Sequence, residues 1–462
     1  MKYLLLSVVC LAQVMEQAAF GQDFNEQSSG LSPKFRVESE SSEFLSNSRD
    51  DSSKISEKSG KKTEAFKIKS HSKEAAFSFP AGNKSIKKRL EHADFRSKIS
   101  AADWVQDYNQ MKQALSDKTG ISYSLDISAL GQRGAPNGKI TPWQFQYYGT
   151  LNWNVFQSKT FGAGSVQAAY TAVRYARGPK NGNALSSNIG VISSVNDYGD
   201  NENNFNQLSY TQQFGGKMNI LSVTLGQFPI SNFDGGAYDN NQQVNFLNLA
   251  LSQNGSSTYP TASLGGYVSL TPNDKWNFTA GLQDATNISG SRITTKHFGD
   301  KKFTSFISVS YTPTWQGVGS SDISVLFYNQ PGVEEQPSTS NGWSVNISQN
   351  IGEKWAVFAR VNGAVHSSET IKQSYVFGGV YNNPLGRNPL DQIGLAVAVN
   401  KLNKKINGAG TRSVENVFEA YWAWGVSSVL TITPDIQFYV NPGENKKSDT
   451  ATVASIRATL MF

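Results

Sequence analysis

The sequence predicts an all-β fold, a transmembrane antiparallel β-barrel of about 16 strands, with a disordered N-terminal extension and a short helix before the barrel. Three observations predict it. Apolar and polar residues alternate in segment after segment from Gly120 onward, the amino end reads as an export signal, and the last segment alternates up to an aromatic residue. In that segment Ala454, Ile456, Ala458, Leu460 and Phe462 are apolar, while Ser455, Arg457 and Thr459 are polar. Successive side chains of a strand point to opposite faces, so the segment offers hydrocarbon on one side and water on the other. A soluble sandwich does the same with one buried face. The export signal and the aromatic end together point instead to the outer membrane of a Gram-negative bacterium.

In the export signal, Lys2 gives the positive charge, Tyr3 to Val14 the apolar core, and Ala19-Phe20-Gly21 the small-x-small cleavage site, so residues 1–21 are expected to be removed. Cys10 is the only cysteine, and Ser7-Val8-Val9 before it is a poor lipobox. The mature chain is therefore expected to lack thiols, which excludes disulfides and cysteine metal sites. No later stretch approaches the ~18 apolar residues that a membrane-spanning helix needs. Residues 22–93 are rich in Ser, Lys, Glu and Asn without a periodic apolar face, and read as a disordered periplasmic extension. Its basic cluster, Lys84, Lys87, Lys88 and Arg89, reads as a solvated charged run, with contact to peptidoglycan or a partner as the alternative. Residues 94–119 are expected to hold a short amphipathic helix, because Trp104, Tyr108, Met111 and Leu115 recur at spacings of three and four. Its expected place is near the periplasmic mouth.

Residues 120–462 are the barrel. Leu221, Val223 and Leu225 alternate with Ser222, Thr224 and Gly226, and Phe278, Ala280 and Leu282 with Thr279, Gly281 and Gln283. The same texture covers Ile307 to Tyr311, Trp355 to Asn362, Leu395 to Asn400 and Asp435 to Val440. Repetition without competing helices makes the pattern strong. Thr271 to Lys275, Ile351 to Lys354 and Thr433-Pro434-Asp435 read as tight periplasmic turns. The longer breaks Arg177 to Ser187 and Pro331 to Asn341 suit the extracellular side. Tyr147, Tyr148, Trp153, Trp276, Trp315, Trp343, Trp355, Trp422 and Trp424 lie near strand ends, as interface girdles require. Gly281 and Gly363 sit in strands, where relief of curvature is the expectation.

The bulk numbers agree. A mean hydropathy of −0.41 suits a barrel, in which only alternate strand residues meet lipid. The net charge of +6 is modest and part of it lies in the extension, so nucleic-acid binding is not indicated. His71, His92, His297 and His366 lack metal-ligand spacing, no Gly-x-Ser-x-Gly elbow accompanies His366-Ser367-Ser368, and no phosphate-binding glycine loop is present. No enzyme activity, cofactor or metal is expected.

Asn388-Pro389-Leu390-Asp391-Gln392-Ile393-Gly394-Leu395-Ala396, then Arg412 to Tyr421, then Pro434 to Gly443, resemble the carbohydrate-selective porin family (OprB type). Leu225-Gly226-Gln227 with Phe233, and Tyr259-Pro260 with Gly265, resemble the same family's middle. The resemblance covers roughly residues 120–462. Gln227 departs from it, standing where the family usually has Lys. The resemblance implies a 16-stranded outer-membrane channel that admits sugars by passive diffusion; alternation alone implies only a barrel.

Strand phase selects the pore-lining candidates. Val414, Phe418, Ala420 and Trp422 share one face, so Glu415, Glu419 and Tyr421 share the other and are expected in the lumen. Glu419 matches a characteristic glutamate of the resembled family. Arg457, Asp435, Gln437 and Arg360 face inward by the same test. Arg387, Arg174 and Arg177 are candidates for the channel or for loops. Interleaved donors and acceptors suit the hydroxyls of a polyol, and diffusion needs weak, repeated contacts; a structural Glu419–Arg457 ion pair is the competing reading. Residues 235–260 exceed a hairpin turn, and read either as a loop folded into the barrel or as an extracellular loop with one strand. Phe462 is expected to be the barrel assembly signal.

The expected partners are small sugars as transported solutes, outer-membrane lipid and lipopolysaccharide, and the barrel assembly machinery, with homotrimer and monomer both open. A general porin, an adhesion or anchoring protein and a secreted soluble β-protein are the alternative functions.

Overall fold

A computed structural model describes residues 103–462, apart from 177–179, 237 and 367. The expected export signal, the extension with its basic cluster, His71, His92, Arg177 and the 94–102 part of the helical segment lie outside the described residues.

Helix α1 (Asp103–Thr119) leads into β1 (Ile121–Ala135), β2 (Trp143–Ser158) and β3 (Gly162–Tyr175). Helix α2 (Gly182–Ile189) precedes β4 (Glu202–Gln213) and β5 (Leu221–Phe228), and the one-turn α3 (Leu249–Ser252) precedes β6 (Ser263–Leu270). Then come β7 (Trp276–Asp284), β8 (Phe303–Tyr311), β9 (Thr314–Trp315), β10 (Gly319–Gln330) and β11 (Ser340–Ile351). The chain continues with β12 (Trp355–Val365), β13 (Ile371–Asn382), β14 (Gln392–Leu402), α4 (Lys404–Asn407), β15 (Val414–Gly425), β16 (Leu430–Val440) and β17 (Thr450–Met461).

All pairings are antiparallel between neighbours in the chain, and β1 pairs with β17 from Asp126↔Met461 to Ala135↔Thr452, which closes the sheet on itself. Of the seventeen strands, β9 is a two-residue ladder on β10, while β8 pairs with β10 directly. The barrel therefore has the sixteen strands that the sequence predicts. Closure leaves no unpaired edge, which is what a sheet in hydrocarbon requires.

Connections alternate in length. Short turns join β2 to β3, β6 to β7 and β11 to β12; long ones join β3 to β4, β5 to β6 and β7 to β8. Gly162 (φ 87°), the first residue of β3 after its turn, and Gly352 (φ 61°), in the β11–β12 turn, take left-handed backbone angles that favour glycine. At the short-turn end Trp276 stacks on Tyr311 with centroids 4.3 Å apart, and Trp355 on Tyr381 at 4.2 Å. These are girdle residues as expected. Tyr148 is not: it points inward and is buried.

Thr433-Pro434-Asp435 is no turn. The three residues lie inside β16, and the turn before it is at 426–429. Pro434 faces outward and pairs with Ile456 on one side, but it has no N–H to give to Trp422, and the β15 ladder lapses between Tyr421↔Asp435 and Trp424↔Ile432. Gly281 has a packing role that the sequence did not show. A Cβ there would lie 2.5 Å from that of Tyr267 and 2.8 Å from the Phe306 ring, so the glycine makes room for two inward rings.

Helix α1 lies at the short-turn end, against β1. Its Tyr108 ring meets the Phe462 ring edge-on at 6.0 Å, its Lys112 ammonium lies 4.8 Å from the Tyr123 ring, and Thr119 O accepts from Trp153 Nε1 at 3.1 Å. Phe462 exchanges two backbone hydrogen bonds with Leu125, at 2.8 and 3.0 Å.

Candidate functional site

Of the two readings of residues 235–260, the structure takes the inward one. The β5–β6 connection, residues 229–262, folds into the barrel, carries α3 rather than a strand, and bonds to inner faces around the wall. Asp234 accepts from Asn346 of β11 at 3.1 Å, Ser256 Oγ donates to Asn362 of β12 at 2.7 Å, and Gln242 Nε2 donates to Gln146 of β2 at 2.7 Å. Residues 180–201 of the β3–β4 connection enter beside it with α2. Both carry apolar side chains that need cover. Leu185, Ile189, Phe246 and Leu251 pack with Phe358, Val376, Val417 and Tyr421 into a hydrophobic core inside the barrel. The inner wall along β12–β17 is thus partly apolar, contrary to a uniformly polar lumen.

The wall's charges hold these loops. Glu419 accepts from the backbone N–H of Leu247 at 2.5 Å and of Asn248 at 2.9 Å. Glu415 accepts from Ile192 N at 2.9 Å, Ser193 N at 2.7 Å and Gly443 N at 2.7 Å. Arg457 Nη1 donates to the carbonyls of Gln242 and, at 2.8 Å, Asn245. Arg360 pairs with Asp239 at 3.1 Å and donates to the carbonyls of Ala250, at 2.6 Å, and Gln253. All four wall residues are at most 2% exposed. Burying a charge is costly unless it is paired or hydrogen-bonded, and here acids take N–H groups while arginines take carbonyls. Bonds to charged groups are worth about 1.5–3 kcal/mol each, so the loop conformation is set largely from the wall.

The remaining candidates divide. Gln437 Nε2 donates to Val195 O at 2.9 Å, and Tyr421 donates to Gln392 while its ring meets Phe246 at 4.9 Å. Asp435 stands opposite Ser455 in the ladder and is buried. These face the interior as strand phase requires. The competing Glu419–Arg457 ion pair is not the arrangement found, since each bonds to loop backbone. Arg387 and Arg174 are corrections. Arg387 lies in the β13–β14 connection at the short-turn end, pairs with Asp391 at 2.6 Å and covers Trp424 at 3.9 Å, outside the lumen. Arg174 falls on the outward face of β3 and is exposed, donating to Asn203 Oδ1 at 2.7 Å.

Sequence reasoning missed Asn248 and Asp197. Asn248 caps α3 through Ala250 N at 3.0 Å, accepts from Ser193 Oγ at 2.7 Å and donates to Tyr439 OH at 2.8 Å. Asp197 accepts from Ser252 Oγ and joins the two inward loops; burial pushes its carboxyl up to about 7. The wall from β4 to β8 carries no Lys or Arg, and its only charged side chains are Glu202 and Asp284, at the ends of β4 and β7. Thr211 bonds Thr224 at 2.8 Å and Ser269 bonds Thr279 at 2.8 Å, with Ser308 and Ser310 beyond.

A closed sixteen-stranded barrel with inward loops tied to a charged wall is the frame of a diffusion channel, and the comparisons agree. The profile of the carbohydrate-selective porin, OprB family, matches residues 173–316 and 294–462. The chain belongs to that family. Among relatives, this porin is 35% identical over 359 residues to Porin AaxA of Chlamydia abortus, covering 76% of this chain and 79% of that one. It is 36% identical over 352 residues to Porin AaxA of Chlamydia pneumoniae, covering 74% and 79%. In fold it is similar to the high-pH structure of Pseudomonas putida OprB, with a TM-score of 0.62 and 18% identity over 77% of this chain and 97% of that one. Family and barrel place this porin in the outer membrane of a Gram-negative bacterium.

Proposed function

We propose that this porin lets sugars and similar small neutral solutes diffuse passively, in the space that the inward loops leave along the hydroxyl-lined part of the β4–β8 wall, beside the Phe233, Tyr267 and Phe306 cluster. The observation that carries the reading is the inward fold of residues 229–262, which narrows the bore at a height set by Glu419, Arg457 and Arg360. These residues, with Glu415, act chiefly by positioning the loops; Tyr421, Asp435 and Gln437 complete that wall. Hydroxyls and amides on the opposite wall both donate and accept, as a sugar's hydroxyls do. Liposome swelling with a graded panel of sugars tests it. Entry rates should fall with sugar size, and loss of swelling with every sugar would remove the proposal.

A second consequence concerns ions. Asp126, Asp234, Asp239, Asp284, Asp391, Glu415, Glu419 and Asp435 are buried, with Arg360 and Arg457 as the only buried cations among the described residues. Excess fixed negative charge favours cations over anions, so the reversal potential across a salt gradient should show a cation preference. A general porin is the competing function. Glucose that leaves ion current unchanged at every concentration would favour it.

On this reading residues 1–21 are cleaved after export, residues 22–93 remain periplasmic, the long connections face outward, and Phe462 is read by the assembly machinery.

A further inference from the structure

The lipid-facing side of the barrel is not uniform. Across β8, β10 and β11, Ser305, Asn329 and Asn341 stand in one register row, and Ile307, Phe327 and Trp343 in the next. All six line a groove of about 440 Å³ in the outward face, at the long-connection end of these strands. Asn329 Nδ2 donates to Asn341 Oδ1 at 2.9 Å, so a polar row borders the apolar one. Gly363 extends the apolar row on β12 and adds no side chain beside the Trp343 ring. Immediately above, the β7–β8 connection ends in Lys301 and Lys302, both exposed, and Lys302 Nζ reaches Gly332 O at 2.7 Å, three residues past Asn329. Arg292 and Lys296 lie in the same connection, whose one acid, Asp300, bonds His297 at 2.9 Å. Glu334 and Glu335, in the β10–β11 connection, follow two and three residues after Gly332, the acceptor of Lys302.

We propose that this groove and the lysines above it bind a phosphorylated acyl lipid of the outer leaflet, one acyl chain in the groove and a phosphate on Lys301 and Lys302. The inference rests on the outward orientation of the long connections given above. The volume lies within the ~300–1,000 Å³ of sites that take a single small molecule, whereas a second protein copy needs a far broader contact, ~800 Å² per partner. Shape alone cannot give affinity here, because an acyl chain leaving lipid for an apolar groove exchanges one hydrocarbon surface for another. Selectivity has to come from the polar row and from charge, and charge complementarity with phosphate is what the lysines offer.

The test uses the full-length folded porin in detergent micelles, with native mass spectrometry of bound lipid. The probes are bisphosphorylated hexa-acyl lipid A, the same lipid A without its phosphates, and phosphatidylethanolamine. Bisphosphorylated lipid A should be retained over the other two by about tenfold, the scale of one charge-assisted contact. Lys301→Glu with Lys302→Glu should abolish that preference, Lys301→Arg with Lys302→Arg should keep it, and Gly363→Leu, which sets a side chain against the Trp343 ring at the edge of the groove, should weaken retention. Equal retention of all three lipids, or a preference that survives the glutamate pair, would overturn the proposal. Sugar swelling measured on the same preparations separates it from the channel reading: the glutamate pair should leave swelling unchanged, and a barrel that swells with no sugar yet keeps the lipid preference would fail only as a channel.

Discussion

Glu419 commits both carboxylate oxygens to the N–H groups of Leu247 and Asn248, while Arg457 and Arg360 hold carbonyls on either side of them. An amide at position 419 has one acceptor oxygen and would turn an NH₂ toward the second N–H. Glu419→Gln should therefore reduce cation preference and also increase current fluctuation in a planar bilayer, while heat-modifiable migration of the barrel persists. Arg360→Ala is the harsher change. It leaves Asp239 buried without its partner, at a cost of about 3–5 kcal/mol, so residues 235–260 should become sensitive to limited proteolysis from the outside. Strand phase was enough to place Glu415, Glu419, Asp435, Gln437, Arg360 and Arg457 on the inner face. It could not show what each would touch, because alternation records which side of the wall a residue takes and nothing about a loop arriving from 170 positions away, as Leu247 does at Glu419 (separation 172).

At the level of elements, the two inward connections meet at Asp197 and Ser252, and this contact titrates. The Asp197 carboxyl is raised by burial from 3.8 to about 7. Between those values the folded porin holds a proton that the unfolded chain has released, so this group's contribution to stability falls as pH rises across the window and is level above it. Asp197→Asn should flatten the difference between thermal midpoints taken at pH 5 and pH 8, and an unchanged difference would place the titration elsewhere. Strand β16 yields another prediction. Pro434→Ala supplies the N–H that Trp422 lacks as a partner, and should stabilise the barrel by about 1 kcal/mol, read as a higher unfolding temperature in detergent. The same proline misled the sequence reading. Thr, Pro and Asp are turn formers by type, but an outward proline that loses one ladder bond is tolerated where the other neighbour still pairs. Arg387 was misplaced for a related reason: beside Pro384 and Gly386 it sits in a hairpin whose rim position only the fold reveals.

For the molecule as a whole, alternation and strand spacing were sufficient to find the barrel and its sixteen strands, since a period of two repeated over the chain has few other solutions. The hydrophobic core inside the lumen was not legible. Phe246 and Leu251 are apolar residues among Asn and Gln, yet only their packing with Phe358 and Tyr421 makes them a core. Deleting Phe462 should lower the yield of assembled barrel on a heat-modifiability gel, because it removes the two bonds to Leu125 and the ring contact with Tyr108.

The seam between β1 and β17 has a kinetic consequence. Its partners, such as Ala129 and Ala458, are about as far apart in sequence as any two paired residues here, so every intermediate before that last zip is a curled sheet with two raw margins. Such a species is slow to finish and prone to stick to its own kind. Time spent in that open form, rather than the strength of the finished cylinder, is what should limit how much of this porin a cell can build.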